Sequence, residues 1–150
     1  MSAGEARPSG ALRTATPAET ERLGARIAVA LRPGDVVLLR GDLGAGKTTL
    51  VRGVARALGA AGPVTSPTFA LAHRYDLPEG RRVAHLDLYR LAGLGDEDEE
   101  LVDEELDGGA IGLVEWPDAV APLLGDRVRL EVDLHHDGGD GRRIELRWRP

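Results

Sequence analysis

Apolar residues recur along this 150-residue chain in two rhythms, and the changes of rhythm mark its elements. Leu23, Ile27, Ala30 and Leu31 fall at helical spacing and predict one buried stripe. Ahead of them, Thr16-Pro17-Ala18-Glu19 reads as a capping box, with Thr16 as N-cap, Pro17 as first helical residue and Glu19 as reciprocal partner. Arg32-Pro33-Gly34-Asp35 turns the chain. Val36 to Arg40 is then an unbroken aliphatic run, the pattern of a strand buried on both faces. A second helical stripe, Leu50, Val51, Val54 and Leu58, predicts a helix from Lys47 to about Leu58, stopped by Gly59.

The second half is richer in strands. Val64 to Phe69 leads into a strand ending near Tyr75, and Leu77-Pro78-Glu79-Gly80 is a turn. Val83 to Leu88 follows as the partner in an antiparallel hairpin. Its alternation puts Val83, His85, Asp87 and Tyr89 on one face and Ala84, Leu86 and Leu88 on the other. A His and an Asp among apolar neighbours demand a reason. Leu94, Leu101, Val102 and Leu106 predict an inward stripe on a helix, and Ile111 to Val114 another buried strand, ending in Glu115-Trp116-Pro117. A short helix covers Asp118 to Leu124. Val128 to Leu134 and Ile144 to Trp148 alternate as strands joined through His135 to Arg143. The expected architecture is α/β: a single domain over residues 14–150, with a mixed central sheet flanked by helices. Residues 1–13, rich in Gly, Pro, Ser and Ala, are expected to be a flexible tail.

Composition narrows the function classes. Without cysteine there is no disulfide framework and no thiolate metal site. The apolar runs are too short to span a bilayer and the N-terminus has no apolar signal region. The expectation is a cytoplasmic protein with no membrane contact. The net charge of -6 is uneven, because Gly95 to Asp107 holds nine acidic residues and no basic one. The remaining body is mildly basic, too weakly so for tight direct nucleic-acid binding. The acidic block reads as a solvated helix face rather than a docking surface.

The sharpest chemical signal is Gly41-Asp42-Leu43-Gly44-Ala45-Gly46-Lys47-Thr48, which fits G-x-x-x-x-G-K-[ST] between a strand and a helix. Lys47 is the only lysine; the other eighteen basic side chains are arginine. A compact ammonium on a thin stem can lie along a loop and touch two phosphates, where a wide guanidinium fits poorly. Gly44, Ala45, Gly46, Lys47, Thr48 and Thr49 are therefore the candidate nucleotide-binding residues, and residues 14–150 are expected to form a single P-loop NTPase domain. Backbone N–H groups and the helix start would receive the phosphates. Thr48 is the candidate ligand of Mg²⁺, and Thr49 a donor to the α-phosphate. Such a site also needs a carboxylate at the end of another strand. Glu115 is favoured for the metal, and Asp87 for orienting water or supporting the metal shell. Lys47, Asp87 and Glu115 form the expected catalytic set. Ser66 and Thr68 sit where a nucleotide-sensing switch occurs in P-loop proteins, although Pro67 fits a plain turn equally well. His135-His136-Asp137 is read as a hairpin rim, and Arg142, Arg143, Arg147 and Arg149 as surface charge.

Taken in order, Gly41 to Thr49, Ser66-Pro67-Thr68-Phe69, His85-Leu86-Asp87-Leu88-Tyr89-Arg90 and Val114-Glu115-Trp116-Pro117 resemble the TsaE (YjeE) family of bacterial ATPases. The resemblance runs from about Thr16 to Leu134. It implies a P-loop fold and a part in the threonylcarbamoyl-adenosine modification of tRNA. It also implies two partners, a TsaD-like carbamoyl-transfer protein and its TsaB-like companion, reset between turnovers by ATP hydrolysis. tRNA would be met only through that complex, and the chain alone would be a monomer. Carried across, the resemblance puts Mg²⁺ on Thr48 and Glu115, makes Asp87 important for hydrolysis, and adds a nucleotide contact near Thr16 and Pro17. The acidic segment and the stretch after Leu134 depart from the family pattern. Other classes fit less well. A small-molecule kinase needs an acceptor pocket and lid for which no segment is spare. A GTP switch needs an Asn-Lys-x-Asp motif, and the single lysine is already used. A nucleotide-binding assembly protein without useful turnover shades into the weak, partner-stimulated ATPase.

Overall fold

The computed structural model describes residues 7–42, 44–62, 72–89 and 95–150. Along the chain run β1 (Gly10–Thr14), α1 (Pro17–Ala28), β2 (Val36–Arg40), α2 (Lys47–Leu58), β3 (Ala72–Asp76), β4 (Arg82–Asp87), α3 (Asp96–Leu106), β5 (Ile111–Glu115), α4 (Ala121–Leu124), β6 (Val128–His136) and β7 (Arg142–Trp148). The strands form one seven-stranded mixed sheet in the order β1-β7-β6-β2-β5-β4-β3. Its centre is parallel: β2 pairs with both β5 and β6, and β5 with β4. Antiparallel pairs close the two sides, β3 on β4 and β1-β7-β6. The parallel strands carry the continuous aliphatic runs because helices cover both their faces. Val36, Val37, Leu38 and Leu39 are all buried.

Alternation along the strands splits the core in two. Val37, Leu39, Val83, Ile111 and Leu113 pack under α1 and α2 with Leu23, Ile27, Leu50 and Val54. Val36, Leu38, Ala84, Leu86 and Val114 pack under α3 and α4 with Val102, Leu106 and Leu124. The helix pair on the first face meets at glycines. A Cβ on Gly24 would stand 2.5 Å from the Leu50 carbonyl oxygen, and one on Gly53 would overlap the Glu21 carbonyl. Missing side chains thus let the two backbones touch, which sets α1 directly on α2.

Several expectations need correction. Residues 10–13 are not tail: they form most of β1, paired to β7 from Gly10 opposite Leu146 to Thr14 opposite Arg142. The segment before it is tied down too, by Trp148 Nε1 donating to the Pro8 carbonyl at 2.6 Å. Its composition suits a tail, but an edge strand needs only a partner with free backbone groups. Thr16 does cap α1, accepting from the Glu19 N–H at 3.1 Å, yet the Glu19 carboxylate reaches back to the Ala15 N–H. The helix also stops at Ala28, so Ala30 and Leu31 lie past its end, Leu31 still in the core. α3 buries Val102 and Leu106 as expected and, unexpectedly, Glu105, which Arg74 grips through two hydrogen bonds of 2.7 and 2.9 Å. Leu94 lies outside the described residues.

Candidate nucleotide site

Three parallel strands end together at the phosphate loop. In register, Leu39 of β2 lies beside Glu115 of β5, and Glu115 beside Asp87 of β4. β2 runs directly into Gly41, and the loop delivers the chain into α2 at Lys47. Gly46 is the N-cap of α2 with φ 101°, left-handed backbone that glycine adopts without strain, and no side chain caps the helix. The positive end of the α2 dipole is therefore turned toward the loop, as an anionic ligand requires.

Lys47 lies buried at that helix start. Its ammonium donates to the Gly41 carbonyl and sits 3.6 Å from the centroid of the Trp116 ring, a cation–π contact. Among the described residues no carboxylate reaches it at ion-pair distance. Burial holds the Lys47 ammonium below the ordinary lysine range, against the opposing fields of Glu115, Asp87 and Asp42. Trp116 itself has φ 56°, a left-handed conformation uncommon for a bulky residue and a mark of sites held in place by their surroundings. Tyr89 packs on its ring, centroids 4.8 Å apart.

Alternation brings the polar residues of β4 and β5 to the α2 side of the sheet. Glu115 is 3% exposed and takes a 2.5 Å hydrogen bond from His85 Nε2 to its Oε2. Asp87, half-buried, accepts from the Tyr89 N–H at 3.1 Å. Burial pushes the Asp87 carboxyl up; the Tyr89 N–H opposes this, the Glu115 charge adds to it, and His85 and Lys47 oppose it. Among the described residues no group of three or more His, Asp or Glu forms a ready-made metal cage. The donor set, a threonine at a helix start and one buried carboxylate, suits a hard cation that keeps waters and leans on phosphate oxygens, as Mg²⁺ does.

The far wall comes from a residue that sequence reasoning misjudged. Arg142 is not surface charge. Its guanidinium donates to the carbonyls of Gly139 at 2.8 Å, Gly141 at 2.7 Å and Gly44 at 3.0 Å, tying the β6–β7 turn to the phosphate loop. Its Nε is buried against Gly46 with no partner among the described residues. The ring of His136, at the end of β6, lies beside Gly44, so the hairpin rim borders the loop. Neither contact has a local signature, for Gly44 and Arg142 stand 98 positions apart. Trp116 had a signal, a bulky residue locked between a carboxylate and Pro117.

Of the remaining expected residues, Gly44, Ala45, Gly46, Lys47, Thr48 and Thr49 lie together in the loop and first turn of α2. Thr16 and Pro17 begin α1 two residues after Thr14, the register partner of Arg142, which brings them to the same end of the sheet. Ser66 and Thr68 fall outside the described residues.

A parallel strand passing through a glycine-rich loop into an uncapped helix, with two carboxylates at the adjoining strand ends, defines a P-loop nucleoside-triphosphatase domain. Comparison with known proteins narrows the class. The family model described as threonylcarbamoyl adenosine biosynthesis protein TsaE matches residues 14–144. The chain belongs to the TsaE family, and its role lies in the biosynthesis of tRNA threonylcarbamoyladenosine. It is 49% identical over 114 residues to the TsaE protein of Streptomyces coelicolor, covering 74% of this chain and 76% of that one. Identity to the Bacillus subtilis TsaE protein is 40% over 136 residues, covering 88% and 81%. The crystal structure of Bacillus subtilis YdiB matches the fold with a TM-score of 0.69 at 34% identity, over 89% of this chain and 81% of that one. No helix among the described residues is long and apolar enough to cross a membrane.

Proposed function

We propose that the chain binds and hydrolyses ATP with Mg²⁺, as the energy-using subunit of a tRNA-modifying assembly. The observation that carries this reading is Lys47: a buried ammonium at a helix start with no side-chain cap, with no carboxylate at ion-pair distance among the described residues, in the field of the strand-end carboxylates Glu115 and Asp87. A buried charge is costly unless paired, and a triphosphate is the partner that would complete it. In this reading the loop from Gly44 to Gly46 and the first turn of α2 cradle the phosphates. Lys47 leaves the Gly41 carbonyl for phosphate oxygens, and Thr49 donates to the α-phosphate.

Thr48 and Glu115 hold Mg²⁺, which when bound neutralises charge developing on the phosphates. Asp87, whose protonation burial favours, sits beside Glu115 and orients the attacking water. Thr16 and Pro17 border the nucleotide from α1, and Ser66 and Thr68 form its switch segment. The assembly partners are a TsaD-like carbamoyl-transfer protein and a TsaB-like companion in the cytoplasm, with tRNA reached through them and hydrolysis resetting the complex. Weak turnover alone fits this role, because P-loop sites completed by a partner are slow in isolation.

The test is phosphate release from ATP and Mg²⁺ by the purified protein, alone and with the TsaB-like and TsaD-like proteins of its own organism. Slow release that rises with both partners is expected. Brisk release indifferent to them would replace the subunit reading with an independent enzyme, and no release in either case would remove the ATPase.

A further inference from the structure

His85 is a buried polar residue on a face of β4 where the packing alone would accept a Val or Leu. It is fully buried on β4, between Val83 and Asp87 on the face turned toward α2. In parallel register it lies beside Leu113, so Glu115 is its diagonal neighbour on β5, within reach of a long side chain. Its Nε2 stands 2.5 Å from Glu115 Oε2, while its Nδ1 is buried with no partner among the described residues. These two facts assign the tautomer. With the proton on Nε2 the ring donates to the carboxylate and leaves only a bare lone pair unsatisfied; a proton on Nδ1 would be an orphan donor in the core. The Tyr75 ring stacks alongside, centroids 6.4 Å apart and 28° from coplanar, which limits how the imidazole can turn.

We propose that His85 is a positioning residue for Glu115: it holds Oε2 from inside the core and leaves the other carboxylate oxygen for the cation at the phosphate loop. The proposal rests on the reading of Glu115 as a Mg²⁺ residue given above. Its physical basis is the cost of looseness. A carboxylate on a strand end has several rotamers, and a cation that makes few protein contacts depends on the one that is presented. Hydrogen bonds from behind a ligand fix its orientation, and removing them costs metal affinity by about 10- to 100-fold. Burial adds to the effect, because His85 and Glu115 are both shielded from the water that would otherwise substitute for the lost bond.

The test measures ADP affinity by titration calorimetry, with Mg²⁺ and with a chelator, for the unaltered protein, His85→Gln and His85→Leu, together with thermal unfolding of each. Gln carries an N–H at a similar reach. Mg²⁺ should tighten ADP binding to the unaltered protein and to His85→Gln, and His85→Leu should lose about 10-fold or more of that tightening while metal-free affinity stays. If His85→Leu does not fold, His85→Phe fills the ring's volume and serves instead. A folded donorless variant that keeps the full Mg²⁺ effect overturns the proposal. Equal loss in His85→Gln also overturns it, in favour of ring shape. If the unaltered protein shows no Mg²⁺ effect, the metal reading of Glu115 itself falls, and this inference with it.

Discussion

Two groups of charges in this sheet are treated in opposite ways. At the phosphate loop, burial disfavours the charged state of both Lys47 and Asp87. Around β6, the outcome reverses. Glu131 accepts from Arg40 at 2.8 Å and from Arg149 at 3.0 and 3.2 Å, and Arg40 also donates to Asp118 at 2.9 Å. Burial pulls against the charge there too, but these bonds outweigh it, holding Glu131 below the usual carboxylate range and raising Arg40. The β6 network is satisfied within the chain. At the loop, among the described residues, Lys47 pairs with no carboxylate, the condition of a site whose counter-charge arrives from outside.

The largest effect should come from breaking the loop side. Lys47→Ala removes the ammonium that would meet the phosphates, and turnover should fall by about 100-fold or more, the scale of losing one preorganised electrostatic contact. The loss of stability should be small beside it: the Gly41 hydrogen bond and the Trp116 contact go, but among the described residues no carboxylate loses an ion-pair partner. Phosphate release and thermal unfolding on the same preparation check both halves. Unchanged nucleotide affinity and rate would remove the site; a large loss of stability would remove the contrast with β6.

Next comes Arg142, which belongs to neither group: it is half-buried and, among the described residues, bonded only to backbone carbonyls. Arg142→Lys keeps the charge and loses the fork that serves three acceptors at once. Nucleotide affinity should drop by about 10-fold, corresponding to roughly 1.4 kcal/mol, with a smaller change in unfolding temperature. Equal affinity in calorimetry would show that the loop keeps its shape without the tie to Gly44.

Which parts of this were legible follows from the range of the contacts involved. The loop, α2 and its Gly59 stop were readable because phosphate binding uses consecutive backbone groups, and the residues that allow it are adjacent in sequence. The β3–β4 hairpin and the two-faced alternation of β4 were equally local. β1 was not, because Gly-Ala-Leu-Arg-Thr has no strand pattern of its own and owes its conformation to β7. His85 announced itself as a polar residue in an apolar strand, but its partner lies on a strand 30 positions away. Arg142 was hidden for a different reason. Near a terminus rich in arginine, nothing in its neighbours separates the one that turns inward from those that pair across the surface.

The smallest effect is also the sharpest comparison, because the two groups should respond to pH with opposite signs. A carboxyl raised by folding gives stability at pH below its unfolded value, near ~4, and loses it as pH rises through the raised value. Asp87 is that case, so Asp87→Asn should raise the unfolding temperature at neutral pH, and the gain should vanish in acid. Asn keeps an oxygen for the Tyr89 N–H, so the local turn survives the change. A carboxyl lowered by folding contributes above its unfolded value, near ~4.3, and loses that contribution as pH falls through the lowered value. Glu131 is that case, so Glu131→Gln should lower the unfolding temperature at neutral pH and matter least in acid. Each effect should be within about 1 kcal/mol, since both side chains keep some contact with water. Thermal unfolding of the two variants and the parent from about pH 3 to 7 spans both unfolded values. Curves that shift the same way would mean that the phosphate loop is no more strained than the network on β6.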